Sequence, residues 1–214
     1  MSKVDKHVPI FQDLLLVQQL FDASRLGNLA IVKQLLVNNN NSLRLDVNWR
    51  NVTEIYMGWR VSNAPALIAV AANCEKLTGP SVDGNDVLEI MKLLIDNGAN
   101  VNAKESSWGS SALHAAASLC QRPQSSAILN LLLDRGAAIN ETGDAGWSAL
   151  IEAADQGRTE TVGLLLDRGA NINERTKYGD TALTMAASRR KRETARLLMN
   201  RGADRSGCMG SPCI

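Results

Sequence analysis

The stretch Leu165-Leu166-Asp167-Arg168-Gly169-Ala170-Asn171-Ile172-Asn173 repeats Leu132-Leu133-Asp134-Arg135-Gly136-Ala137-Ala138-Ile139-Asn140 almost residue for residue, and Leu94-Ile95-Asp96-Asn97-Gly98-Ala99-Asn100-Val101-Asn102 precedes both. From Gly136 to Gly169 to Gly202 the interval is 33 residues each time. A period of that length describes small units that cannot bury a core alone but bury one against their neighbours. The chain therefore reads as a stacked binding scaffold before any single residue is weighed for chemistry.

A second signature lies upstream of each run. Ser111-Ala112-Leu113-His114-Ala115-Ala116-Ala117 corresponds to Ser148-Ala149-Leu150-Ile151-Glu152-Ala153-Ala154 and to Thr181-Ala182-Leu183-Thr184-Met185-Ala186-Ala187. Each opens on a Ser or Thr suited to cap a helix N-terminus. The paired alanines let that first helix approach its neighbours closely, while Val162, Leu165 and Leu166 give a second helix an apolar stripe at i, i+3, i+4. Gly98, Gly136, Gly169 and Gly202 fall where the second helix ends in a left-handed residue. Two degenerate units come first: Leu20 to Gly27 with Ile31 to Leu36, and Ala66 to Ala72 with Val87 to Leu94. An added helical stretch, Ile10 to Gln19, is expected to cover the first core face.

Together the two signatures resemble the ankyrin repeat, whose Thr-Pro-Leu-His-x-Ala-Ala helix is followed by a Val-x-x-Leu-Leu helix and a Gly-Ala-Asp-Val-Asn hairpin. The resemblance covers nearly the whole chain. It implies an all-α solenoid of antiparallel helix pairs joined by β-hairpin-like turns, with an irregular insertion in the N-terminal half. Units are expected at about 10–48, 49–102, 103–140, 141–173 and 174–206, between a flexible N-terminus (1–9) and a flexible tail (207–214). The insertion at 38–63 contains Asn38 to Asn41, then Val47-Asn48-Trp49 and Ile55 to Val61, whose alternation suits a long β-finger. Residues 74–85 and 119–126 should lengthen the turn between the helices of units two and three, with Asp83-Gly84-Asn85-Asp86 a turn that caps a helix at Val87.

Composition agrees with close-packed helices. The chain is 45% hydrophobic but only 4% aromatic, so Leu, Ile, Val and Ala must fill the core. No apolar run approaches the roughly 20 residues that span a bilayer. The first segment makes a poor secretory signal, so a cytoplasmic location is expected. Cys74, Cys120, Cys208 and Cys213 lack metal-ligand spacing and are expected to be free thiols in a reducing compartment, although Cys208 and Cys213 could form a local disulfide under oxidation that nothing in the sequence requires. Net charge is +1, but residues 174–214 carry nine Lys or Arg against four Asp or Glu, which leaves −4 on residues 1–173.

Catalytic chemistry is not expected. Only His7 and His114 are present; the resemblance makes His114 a structural hydrogen-bonding residue between repeats. His114 and Cys120 are six residues apart, about 600° around a helix, and point to different faces. No phosphate-cradling glycine motif appears, and neither a metal nor a cofactor is expected.

The aromatics carry more information. Trp108 precedes Gly109, Tyr178 precedes Gly179 and Trp147 follows Gly146, all just ahead of a first helix. The resemblance places such tips, with the far ends of the first helices, on a concave partner-binding face. Trp108, Trp147 and Tyr178 are the expected anchors, because exposed Trp and Tyr are favoured at hot spots; the competing reading has each ring lie over the next hairpin and stiffen the array. By the same register Ser118 and Leu119, Asp155 and Gln156, and Ser188 and Arg189 are expected to line the groove, and Trp49, Tyr56 and Trp59 to contribute from the finger. Asp144, Asp155 and Asp180 beside Lys177 and Arg189 make it mixed in sign, which suits a peptide or folded protein. The run Arg189-Arg190-Lys191-Arg192 is read as a solvated corner, against an import signal or a set of phosphate contacts.

The expected function is protein–protein recognition by a monomeric, non-enzymatic scaffold that engages another protein or peptide, not a membrane or a nucleic acid. The alternatives are a secreted bacterial effector acting on a host protein in host cytosol or nucleus, and a regulatory subunit of an enzyme.

Overall fold

Five helix pairs stack in two layers. The computed structural model describes residues 11–37, 55–56, 59–60, 66–73, 84–120 and 125–206. Helix α1 (Phe11–Arg25) pairs with α2 (Leu29–Val37), α3 (Ala66–Asn73) with α4 (Gly84–Asp96), α5 (Ala112–Leu119) with α6 (Ser125–Asp134), α7 (Ala149–Gln156) with α8 (Thr159–Asp167), and α9 (Ala182–Ser188) with α10 (Arg192–Asn200). The first helices pack in the order α1, α3, α5, α7, α9 and the second in the order α2, α4, α6, α8, α10.

The Ser and Thr ahead of the first helices explain where α7 and α9 begin. Ser148 Oγ accepts a hydrogen bond from Ile151 N at 3.3 Å to open α7. At α9 the cap is reciprocal: Thr181 Oγ1 accepts from Thr184 N at 3.2 Å while Thr184 Oγ1 accepts from Thr181 N at 2.8 Å. Within the first-helix layer Ala116, Ala117, Ala153, Ala154 and Ala186 are fully buried, so methyl-sized side chains set the separation of α5, α7 and α9. In the second layer Leu132, Leu165 and Leu198 occupy one register position of three units and have no exposed surface. Each such leucine contributes about 1.5–3 kcal/mol of hydrophobic stabilisation, and most of it requires the neighbouring unit.

Every second helix from α4 onward ends alike, except for its charges. Gly169 N donates to Leu166 O and Ala170 N to Leu165 O, with Gly169 at φ 91. Ion pairs then tie consecutive units along the outside: Arg135 to Asp96 at 2.6 Å, Arg168 to Asp134, and Arg201 to Asp167 at 2.6 Å. Asn97 and Asn200 stand where a fourth Arg and a fourth Asp would fall. Beneath this ladder Asn102, Asn140 and Asn173 accept from Ala138 N, Asn171 N and Asp204 N at 2.8–2.9 Å, which fixes the start of each following hairpin.

Several expectations need correction. The added helical stretch ahead of Leu20 is continuous with the first helix of unit one, since α1 runs without a break from Phe11 to Arg25. Helix α4 starts at Gly84, so Gly84, Asn85 and Asp86 form its first turn, where Asp86 favours the positive end of the helix dipole. Of the long finger, two antiparallel two-residue strands are described, β1 (Ile55–Tyr56) and β2 (Trp59–Arg60), with Tyr56 paired to Trp59. Trp49, residues 1–9 and residues 207–214 lie outside the described residues. Cys120 is not a free thiol: it is disulfide-bonded, to a cysteine outside the described residues. Spacing in sequence could not reveal a pair brought together through space. No helix among the described residues is long and apolar enough to cross a membrane.

Nothing lies within 4 Å of where a Cβ would stand on Gly169, so the cost of a side chain there is that of positive φ alone. Gly169→Ala is expected to destabilise the array by roughly 1–2 kcal/mol, read as a lower urea midpoint at unchanged slope.

Candidate functional site

The loops that precede α5, α7 and α9 form a continuous arm. Asp144 N donates to Trp108 O at 2.8 Å and Lys177 N donates to Ala145 O at 2.9 Å, so each tip is hydrogen-bonded to the next through backbone. Each tip is also locked internally. The buried Glu105 carboxylate accepts from Ser107 N at 2.6 Å, Trp108 N at 2.5 Å and Ser110 N at 3.3 Å. The buried Thr176 hydroxyl accepts from Tyr178 N at 3.2 Å and Asp180 N at 3.1 Å. In the middle tip Gly143 N donates to Trp147 O at 2.8 Å.

On this rigid arm Trp108 is 58% exposed and Tyr178 80% exposed, whereas Trp147 is partly buried against the core. Register explains the difference. Trp108 and Tyr178 stand three residues before their caps, Ser111 and Thr181, but Trp147 immediately precedes Ser148. The residue of unit four that shares the exposed position is Ala145, so the arm presents an aromatic, a small residue and an aromatic in succession. Trp147 instead braces the joint: its carbonyl accepts from His114 Nε2 at 3.1 Å. A carbonyl only accepts, so Nε2 carries the proton and Nδ1 accepts from Ser111 Oγ at 2.9 Å. Burial holds the His114 pKa below the ordinary imidazole value, which keeps the ring neutral in this role.

A second row lies at the opposite ends of the first helices. Ser118 and Leu119 are partly buried, Gln156 and Ser188 are exposed, and the buried Asp155 pairs with the exposed Arg189 at 2.6 Å. Gln156 Nε2 donates to Asp155 Oδ2 at 3.0 Å, and Ser188 Oγ donates to Met185 O at 2.9 Å. The seven or so residues between cap and helix end put the two rows about 10 Å apart along each helix. Between them sits Glu152. Burial, then the charges of Asp155 and Glu105, push its pKa up to about 7 against the partial relief of a hydrogen bond with Ser118.

A sequence model of the family described as ankyrin repeats matches this chain in three overlapping copies, over residues 20–142, 82–176 and 119–206. The chain belongs to the ankyrin repeat family. The comparison with curated proteins returns no match. Ankyrin repeats are in general protein–protein interaction modules. Among the described residues no group of three His, Cys, Asp or Glu is placed to hold a metal ion.

Within this ankyrin array the sequence-derived residues separate into a tip row (Trp108, Tyr178), a bracing residue (Trp147) and a helix-end row (Ser118, Leu119, Asp155, Gln156, Ser188, Arg189). Tyr56 and Trp59 lie on the short hairpin, for which no contact with either row is described. Glu105, Thr176, Ala145 and Glu152 were missed. Glu105 and Thr176 do one task with different chemistry, so no repeat pattern marks them; Ala145 shows itself only when residues are counted back from the caps.

Protonated Glu152 suits the fold better than its ionised form, so the stability this group contributes is present below its ordinary value of 4.5 and is lost as pH rises to about 7. Glu152→Gln should therefore raise the melting temperature at about pH 8 and change it little at about pH 4.5, which narrows the gap between the two. Equal shifts at both pH values would contradict the assignment.

Proposed function

We propose that the chain is a recognition module that holds an extended segment of a partner protein along the tip arm, with Trp108 and Tyr178 as anchors on either side of the Ala145 notch. One observation carries this reading: two aromatic rings are exposed on loops locked by Glu105 and Thr176. Exposed apolar rings are unfavourable in water, and locking their loops removes the ordering entropy that a mobile loop would lose on binding. The mixed charges of Asp144, Lys177 and Asp180 beside the rings give orientation rather than bulk affinity. Trp147 acts on the partner indirectly, by holding the middle tip in place.

The helix-end row supports a longer contact down the concave face, with Asp155 and Arg189 already paired and so contributing little net charge. No catalytic group is part of this reading. The bonded Cys120 favours a chain that folds in or passes through an oxidising compartment over the reducing one expected from sequence, since structural disulfides persist where thiols are not kept reduced. It does not favour an effector that acts in the reducing host cytosol or nucleus. Non-reducing maleimide labelling of protein from its native cell tests the oxidising-compartment reading; quantitative labelling of Cys120 without reductant would remove it.

Affinity capture from nuclease-treated lysate should recover a partner with the wild-type chain and lose it with the Trp108→Ala, Tyr178→Ala variant at unchanged melting temperature. Truncation of two such anchors is expected to weaken binding by about 100-fold or more. Recovery of the same partner by both proteins would contradict the tip-arm reading.

A further inference from the structure

The turn between α9 and α10 departs from its counterpart one unit earlier in a single direction. Where unit four has Gly157, Arg158, Thr159 and Gly163, unit five has Arg190, Lys191, Arg192 and Arg196. One cation becomes four on the same stretch of backbone. Arg190 takes φ 58, the one non-glycine residue at positive φ among the described residues, at the place where Gly27 and Gly157 take φ 70 and 75. An L side chain adopts that conformation only at a cost that glycine avoids. Arg192 and Lys191 crowd the N-terminus of α10, whose dipole disfavours cations.

Glu193 in the first turn of α10 is the one acidic residue on this stretch, and no ion pair to the new arginines accompanies it among the described residues. Arg135, Arg168, Arg175, Arg189 and Arg201 each form an ion pair, while Arg190, Arg192 and Arg196 are exposed and have no ion pair among the described residues. Arg192 and Arg196, four residues apart, share one face of α10. The Lys191 stem lies over Gly157, where an added Cβ would come within 2.5 Å of it, which joins the group to the turn of unit four.

We infer that the α9–α10 turn and the exposed face of α10 form a second docking surface, for an acidic segment of a partner protein. Four cations against the single carboxylate of Glu193 leave an excess of positive charge that attracts carboxylates, and the three Arg offer them planar bidentate geometry. The patch is about two helical turns long, which matches a short acidic stretch. A long polyphosphate would run from it onto a chain whose residues 1–173 carry −4. This surface does not include the tip arm, so it stands or fails separately from it.

The test is fluorescence anisotropy of a labelled oligoglutamate peptide at low salt, with labelled oligothymidylate and phosphatidylserine-containing vesicles as parallel probes. Wild type should bind oligoglutamate. The Arg190→Gly, Arg192→Thr, Arg196→Ala variant, which restores neutral residues of the unit-four kind, should bind about tenfold more weakly while melting at the same or a higher temperature. The Trp108→Ala, Tyr178→Ala variant should bind oligoglutamate as wild type does. If the triple variant fails to fold, Arg192→Gln with Arg196→Gln replaces it. Absence of oligoglutamate binding, binding indifferent to the arginines, or loss of binding in the aromatic variant would each overturn the proposal. Tighter binding of oligothymidylate or vesicles through the same arginines would overturn the assignment to a protein segment.

Discussion

The close stacking of the first helices through alanine governs everything else in this molecule. Ala116, Ala117, Ala153, Ala154 and Ala186 have no exposed surface, and no larger side chain would leave α5, α7 and α9 at the separation that lets neighbouring tips share backbone hydrogen bonds. Widen that layer and Trp108 O no longer meets Asp144 N, nor Ala145 O Lys177 N. The two exposed rings would then ride on independent loops. Core packing therefore reaches function through geometry, since a partner meets a row of tips only because the helices behind them are in register.

The polar ties between units reinforce that register without creating it. The Asp–Arg ladder is half exposed, and each such pair contributes little in water. The His114 link from Ser111 to Trp147 O satisfies groups that the stack dries, so losing one partner costs more than the bond itself contributes, whereas the asparagine bonds to following backbone N–H groups lie at the surface and contribute modestly. Set against these paired groups, the exceptions are informative. Glu152 is held among carboxylates, and Arg190, Arg192 and Arg196 have no ion pair among the described residues.

The helix pairs were legible because their signals are local and repeated: a Ser or Thr cap, two alanines, two leucines and a glycine at fixed intervals. The exposed tips were only partly legible. Trp147 looks like Trp108 and Tyr178 when judged by its glycine neighbour, but its distance from the cap turns it toward the core. Glu105 and Thr176 left no trace, since a carboxylate and a hydroxyl doing one task look unrelated in sequence. The Cys120 disulfide was illegible because pairing is a property of space. In unit one and the start of unit two the repeat itself decays, and there the sequence indicated an insertion without its form.

Hydrogen–deuterium exchange of the chain with a captured partner bound tests the central claim most directly. The account predicts new protection concentrated at residues 105–110, 143–147 and 176–180, with α6 and α8 unchanged. Protection confined to α6 and α8, with the tips exchanging as in the free protein, would contradict it.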